Sequence, residues 1–472
     1  MSEATLEKQQ NKGKMGFVSV LCMSIGSIIG AGVFASLPIG VAASGPGVEW
    51  AFILAALSLL LLGVPMIMLT SALPGKNAPY LQLTRLTHPV LGFAQLTMAV
   101  NLIILLALLG KVFSAFAQFY LPDASSVVLS IIVIVVFAAV TSFGVSASAV
   151  VQNVMVVLLV IALGMFVVLG FPHIDAANVT LGAVLAPKGL TFVGLGTTVV
   201  ALTGALIGGA NPVLAADKVR NPRRDIPMAF IVSTVGCMVL FMFVAYVVLG
   251  AFTAEDIFAT SPSLLDVGRE FMNSAEMHFF NIAGGIFAIA TTINAVFWIL
   301  TSGIGAVADD RVLPGLLSKK NRFGVEIWTI WIAAAIVVVM LLIDPPLDAL
   351  VSAFGVANML IFGLLVIPMF ALPKRFPKSY TKSILRPSTP VLAVLAVLAG
   401  VMAVWQILSV AIATPMVLVI LLIVYIAFYA YFFIRVQWLK GQGFDLLAQM
   451  RQVPELWATQ EGWDVSASAG PK

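Results

Sequence analysis

Stretches of about 20 mostly apolar residues, the length that carries a helix across a bilayer, recur along the whole chain with only short polar connections between them. Backbone N–H and C=O groups cannot stay unpaired in hydrocarbon, so stretches of this kind fold as helices. The pattern predicts helices near 15–42, 48–72, 90–120, 125–144, 149–171, 191–215, 228–251, 278–307, 326–343, 347–371, 390–411 and 414–434. The ninth and tenth are divided only by Asp344-Pro-Pro-Leu. The fold class read from this is an all-α polytopic membrane protein with about twelve transmembrane helices in one domain. Composition fits: 61% of the residues are hydrophobic and 10% charged, against about half and about a quarter in soluble domains.

Residues 1–14 form a polar N-terminal tail with Lys8, Lys12 and Lys14, and the apolar segment behind them is too long for the core of a cleavable signal peptide. The transmembrane domain is expected over 15–434 and a C-terminal tail over 435–472. Basic residues gather in alternate connections, at Lys76/Arg85, Lys218/Arg220/Arg223/Arg224, Arg311/Lys319/Lys320/Arg322, Lys374/Arg375/Lys378/Lys382/Arg386 and Arg435/Lys440/Arg451. The other connections carry mostly acids, with Lys188 and Arg269 as exceptions. The positive-inside rule then predicts a multi-pass protein of the cell (inner) membrane with both termini cytoplasmic. The net charge of +4 is a topology signal and predicts no nucleic-acid partner. Cys22 and Cys237 lie inside predicted helices, with no disulfide framework and no metal spacing. Beyond Trp438 the tail is polar and partly amphipathic, through Phe444, Leu446, Leu447 and Met450, which reads as a peripheral helix or an unstructured end.

Two apolar segments are interrupted. The first reads Gly26-Ser-Ile-Ile-Gly-Ala-Gly32 and the sixth Gly204-Ala-Leu-Ile-Gly-Gly-Ala-Asn-Pro212. Glycine weakens a helix by up to about 1 kcal/mol and proline by about 3 kcal/mol. At membrane depth such a turn survives only where protein or a water-filled cavity satisfies its backbone. Glycines for close helix packing would explain either interruption alone. Two of them, each opening one of two five-helix sets, point instead to a solute site near the membrane midplane.

Gly26-Ser-Ile-Ile-Gly-Ala-Gly-Val-Phe34 resembles the first-helix signature of the amino acid–polyamine–organocation transporter superfamily. Lys218-Val-Arg-Asn-Pro-Arg-Arg-Asp-Ile-Pro227 and Ala308-Asp-Asp-Arg-Val-Leu-Pro314 resemble its loops after the sixth and eighth helices. Leu73-Pro-Gly-Lys-Asn-Ala-Pro-Tyr80 is a weaker match to a glycine-rich turn. The resemblance covers roughly 15–434. It implies a LeuT-type fold of two inverted five-helix repeats, with helices one and six broken, two helices outside the repeats, and transport of an amino-acid-like solute by alternating access.

A half-helix beginning at the first break would expose free N–H groups and a positive dipole end, suited to a carboxylate. The expected donors are the amides of Gly30, Ala31 and Gly32. The expected acceptors for an ammonium are the carbonyls of Ile28, Gly204 and Ile207, positions that match the family's backbone ligands. Asn211 adjoins the second break and is expected to line the pocket. Three departures bear on the solute. Gly204 stands where relatives often carry an aromatic gate, which leaves either another gate or a bulkier ligand. Ala210 stands where carriers of cationic solutes often have an acid, which favours a neutral amino acid. Leu159 stands where many relatives have a coupling lysine. Thr291, Thr292 and Asn294 offer oxygens for Na+, with helix packing as the plainer use, and H+ coupling or simple exchange stays open. Lys111, alone inside a span, reads either as a snorkelling or packing residue or as a residue of an outer vestibule or a coupling group. The basic loops at 218–224 and 319–322 read either as inner-gate contacts, pairing with Asp309 and Asp310 when the inside closes, or as lipid-headgroup contacts.

His88, His173 and His278 are scattered on loops or helix ends, no span holds paired carboxylates, and no nucleotide-binding loop occurs, so an enzyme or ATP-driven pump is not expected. No cofactor is expected. The partners are a small-molecule amino acid or amine and the lipid bilayer, in a monomer or homodimer. An exporter or antiporter of amines or other amino-acid derivatives is the alternative, and a transport-like sensor a further one.

Overall fold

The computed structural model describes residues 14–144, 149–175, 177–179, 190–214, 216–260 and 262–463. The expectations placed on 1–13, on Lys188 and on 464–472 lie outside these residues. Among the described residues every regular element is a helix.

Each predicted apolar segment coincides with a helix. These are α1 Phe17–Ala31, α2 Val48–Ala72, α3 Thr97–Gln118, α4 Ser126–Ser142, α5 Ala149–Gly170 and α6 Phe192–Leu206. They continue with α7 Pro222–Ala251, α8 Phe287–Asp309, α9 Ile327–Ile343, α10 Leu347–Gly363, α11 Thr389–Ala413 and α12 Pro415–Gly441. Nine helical stretches among the described residues have the length and apolarity to cross a membrane, and α4 and α9 are shorter apolar helices. The first of the nine runs Phe17–Ala72 but is folded back on itself. Met15 N–H donates to Lys218 O at 2.9 Å and Asn77 N–H to Leu214 O at 2.9 Å, so both ends of the stretch lie at one end of the bundle. The reversal falls at Gly45-Pro46-Gly47, where Gly45 takes φ +52, a region open to glycine at little cost.

That end of the bundle gathers residues 14–16, 73–88, 216–220, 302–326, 376–386 and the tail beyond α12, and is called the tail side below. Burial sorts the helices. In the stretches containing α3, α6 and α8, 72% of the most apolar window is buried, against 17% in α11 and α12. A helix apolar on all faces needs protein or lipid around it. The first three are surrounded by protein, and the last two present Val394, Val401, Ile412, Leu422 and Ile426 outward.

Of the two readings of the C-terminal tail, the helical one holds as far as residue 463: helices Leu446–Arg451 and Glu455–Glu461 bury Met450 and Trp457 completely. The amphipathic run at 444–450 was legible in the sequence, and the buried position of Trp457 was not.

Candidate functional site

The two interrupted segments do change their winding, though neither becomes extended. After Ala31 the chain continues as a π-turn, Gly32–Ser36, and then as helix Leu37–Ser44. After Leu206 it tightens into a 3₁₀ segment, Ile207–Leu214, containing Pro212. Pro212 has no N–H to give, and glycine-rich turns tolerate the altered hydrogen-bond pattern. In this conformation the Gly32 N–H is engaged by the carbonyls of Ile28 and Ile29, so the expected donor and one expected acceptor are bonded to each other.

The two segments pack directly together. Ser24 Oγ donates to Gly209 O at 2.8 Å. A Cβ at Gly208 would stand 2.9 Å from Ser27 O, and one at Gly209 2.9 Å from Ile28 Cδ1. On the other side α1 meets α8: a Cβ at Gly30 would lie 2.5 Å from Thr292 Oγ1, and that hydroxyl donates to Gly26 O at 3.1 Å and Ala288 O at 2.8 Å. Ile28, Ile207 and Asn211 are all buried here. Gly204 is set apart by its own contact. Its Cβ would lie 2.6 Å from Gly355 Cα, and a Cβ at Gly355 would meet Val200 Cγ1 at 2.4 Å. Its carbonyl accepts from Asn358 Nδ2 at 3.3 Å, and Asn358 Oδ1 accepts from Asn101 Nδ2 at 3.1 Å. Glycine at 204 thus lets α6 and α10 touch backbone to backbone.

Of the oxygens expected to hold an ion, only Thr292 faces α1. Thr291 Oγ1 donates to Phe287 O and Ala288 O within its own helix, at 3.0 and 2.9 Å. Asn294 Oδ1 accepts from Thr141 Oγ1 of α4 at 3.0 Å. Lys111 lies away from the two segments. Its ammonium donates to Asp344 Oδ1 at 2.6 Å and Pro345 O at 2.5 Å, tying α3 to the α9–α10 turn at the end opposite the tail. Buried Leu159 and Ala210 add no charge.

Two sets of residues went unread in the sequence. Ser27, Ser36 and Thr203 carry buried hydroxyls with no hydrogen-bond partner among the described residues, and they sit on or beside the two segments. Burying a hydroxyl without a partner costs about 1–3 kcal/mol, so each such group calls for a partner, a water or a ligand. The second set is aromatic. A second π-turn, Phe280–Ile286, precedes α8. Phe34 of the first π-turn lies 5.0 Å from Phe116 of α3, edge to face, and 6.3 Å from Phe280 of the second. Phe280 stacks on Phe166 of α5 at 5.3 Å. These rings join the first π-turn, α3, α5 and the second π-turn in one aromatic cluster.

On the tail side the acidic pair is held differently from expectation. Asp309 pairs with Lys76 at 3.0 Å, and Asp310 takes both nitrogens of the Arg85 fork at 2.7 Å each. Tyr80 Oη donates to Asp310 at 2.6 Å. The partners seen for them, Lys76, Arg85 and Tyr80, all come from the segment 73–86. The reason is the helix Ala78–Leu86, which turns its Tyr80 and Arg85 inward. Burial, then the nearby carboxylate, pushes the Tyr80 phenol well above its usual pKa. For Arg85, burial opposes the charge, but hydrogen bonds to Asp310 outweigh it and raise the pKa. Asn77 starts this helix at φ +47, a left-handed conformation that asparagine tolerates after glycine best; this accounts for asparagine at the turn. Lys218 reaches α8, donating to Ser302 Oγ at 2.8 Å with its ammonium 3.9 Å from the Trp298 ring centroid.

Irregular helical turns paired at the centre of an all-helical, apolar bundle define a multi-pass membrane protein with a buried, backbone-lined centre. The chain belongs to the amino acid permease family, whose model matches residues 15–431. It is similar to the branched-chain amino acid permease BcaP of Bacillus subtilis, 22% identical over 428 residues, which cover 82% of this chain and 87% of that one. It is also similar to an uncharacterized protein of Methanocaldococcus jannaschii, 22% identical over 324 residues, covering 66% and 72%. The methylthioribose transporter of Bacillus subtilis is 24% identical over 326 residues, covering 63% and 68%.

Proposed function

We propose that the chain is a secondary transporter, symporter or exchanger, of neutral amino acids, working by alternating access on two inverted repeats formed by α1–α5 and α6–α10. The observation that carries this reading is the direct packing of the π-turn helix α1 on the 3₁₀ segment after α6, held by Ser24 Oγ on Gly209 O at 2.8 Å, in a chain of the amino acid permease family. The sparse burial of α11 and α12 favours their place outside the repeats. The positive-inside rule favours a cell membrane location with the tail side cytoplasmic.

In this scheme the substrate carboxylate takes the amides of Gly30, Ala31 and Gly32 as the π-turn loosens its hold on the Ile28 and Ile29 carbonyls. The ammonium takes the freed carbonyls of Ile28 and Ile207, while Ser27, Ser36 and Thr203 supply hydroxyls. The side chain meets a pocket with Ala210 and Asn211 and no charge, which favours a neutral, apolar substrate. The Gly204 carbonyl already accepts from Asn358, and its second lone pair is the one left for the ammonium. The rings of Phe34, Phe116 and Phe280 form the outer barrier in place of an aromatic at 204. Coupling is by exchange or by H+ or Na+ symport, with Thr292 as the oxygen best placed beside α1.

A second reading is an exporter or antiporter of amines or other amino-acid derivatives on the same fold. The similarity to a protein of Lactococcus lactis named as a probable agmatine/putrescine antiporter, 24% identical over 182 residues, favours keeping it. The deciding experiment is counterflow in liposomes preloaded with unlabelled amino acids at symmetrical pH and sodium. Entry of labelled leucine or valine faster than into protein-free vesicles supports the first reading. Entry only of labelled amines moves the assignment to the second, and no entry of either by folded protein refutes both as exchange activities.

A further inference from the structure

The transport scheme makes no use of the tail beyond α12, yet the tail is fixed at several points. Trp457 is fully buried, and its Nε1–H donates to Pro74 O at 2.8 Å. Phe376 stands edge to face on it at 5.9 Å and lies 5.0 Å from Trp463. The Glu461 carboxylate accepts from the backbone N–H groups of Lys378 and Ser379 at 3.1 and 2.6 Å, and Lys378 Nζ donates back to Glu461 O at 2.7 Å. Gln452 O accepts from Arg85 Nε at 3.1 Å.

What the tail grips is a hub. Pro74 opens the loop whose Asn77 donates through its backbone N–H to Leu214 O at 2.9 Å and through Nδ2 to Gly303 O at 3.0 Å. Leu214 ends the 3₁₀ segment of the candidate site, and Gly303 lies on α8. A few residues on, Arg85 and Tyr80 hold Asp310, just past the end of α8. One loop, 73–86, therefore touches the tail on one side and the tail-side ends of the α6 segment and α8 on the other.

We infer that the C-terminal tail is a clasp on the inner gate: it holds loop 73–86, and through it the ends of the α6 segment and α8, in the closed arrangement, and its release opens the tail side. The inference rests on the alternating-access reading for its consequence, while the clasp itself is a statement about local opening. Backbone amides in a loosened segment exchange their hydrogens faster, so hydrogen exchange read by mass spectrometry on the full-length protein in lipid nanodiscs tests it without a substrate.

Trp457→Ala removes the ring and its hydrogen bond. The expected result is about tenfold faster exchange at 73–86 and 207–214, the scale of one lost buried hydrogen bond, with 389–413 unchanged. Faster exchange confined to 446–463, with 73–86 and 207–214 as in the wild type, overturns the clasp. If Trp457→Ala yields no folded protein, Glu461→Gln with Lys378→Met unhooks only the far end of the tail and is read the same way. Counterflow with labelled leucine separates the two inferences. Faster exchange at the hub together with faster counterflow supports both. Faster exchange at the hub in a protein that moves no solute keeps the local clasp but overturns its role as a transport gate, together with the transport reading.

Discussion

Removing one member of the Arg85–Asp310 pair should cost more than removing both. The two side chains are 4% and 8% exposed and meet at 2.7 Å. The guanidinium is bidentate, and Tyr80 adds a third donor to the same carboxylate. Asp310→Asn keeps the shape but leaves a buried guanidinium without its counter-charge, and Arg85→Met leaves a buried carboxylate with only Tyr80. Stranding either charge is expected to cost about 3–5 kcal/mol. Replacing both by apolar groups removes the desolvation penalty along with the attraction, which is often neutral or better. A Tyr80→Phe background removes the phenol that would otherwise lose its acceptor. In that background, Arg85→Met with Asp310→Leu is expected to unfold near the background temperature, while each single change falls well below it. Tryptophan fluorescence during heating in detergent, at one scan rate because unfolding of such proteins is seldom reversible, gives the apparent midpoints. A double variant as unstable as the sum of the singles would refute the argument, since it would mean that packing, not charge pairing, holds the site. Single variants that melt with the wild type would refute it from the other side, by showing the pair to be solvated.

Gly204→Phe is expected to abolish folded protein, because its Cβ would stand 2.6 Å from Gly355 Cα; a monodisperse, transport-competent variant would show that α6 and α10 are not in backbone contact. Gly30→Ala should displace Thr292 and lower the apparent melting temperature, and Thr292→Ala should partly restore it, which a melting series on the double variant checks. Lys111→Met breaks a pair whose aspartate is 57% exposed, so a stability loss of no more than about 1 kcal/mol is expected, with an unchanged pH profile of transport. A transport rate that loses its pH dependence would instead make Lys111 a coupling group. Lys218→Met should ease opening of the tail side by removing the hold on Trp298 and Ser302, read as faster alkylation of a cysteine placed at Val213.

The helices were legible because a bilayer-length apolar run admits little else, and the Gly-rich interruptions were legible because glycine and proline mark altered winding wherever they fall. The kind of winding was not. Whether Gly32–Ser36 becomes a π-turn or an extended break depends on Phe241 of α7 and Ala205 of α6 packing against Gly32, and nothing local encodes that. Gly204 shows the same limit from another side. Its reason for being glycine is Gly355, far along the chain, so an open position in sequence is a closed one in space. Charge placement gave the sorting of loops but not their pairing: Asp309 and Asp310 look toward the nearest basic runs in sequence, while the inward-facing Arg85 sits on a helix too short to announce its buried face. In the tail the amphipathic run at 444–450 was legible, but the burial of Trp457 was not, since helices of one or two turns carry no period.

The two π-turns have a consequence for how motion is shared. Each holds one residue more than an α-helix would over the same rise, so rewinding either to α geometry rotates everything beyond it by about 100° and shifts it by about 1.5 Å. Phe34 rides on one turn and Phe280 on the other, with their rings 6.3 Å apart and Phe116 wedged against Phe34 and Gly285. Rewinding either turn would move its own ring relative to the other, so the two turns are expected to change winding together. A one-residue deletion at Ala283 is then expected to speed hydrogen exchange at 32–36 as well as at 280–286, which mass spectrometry of the folded variant checks.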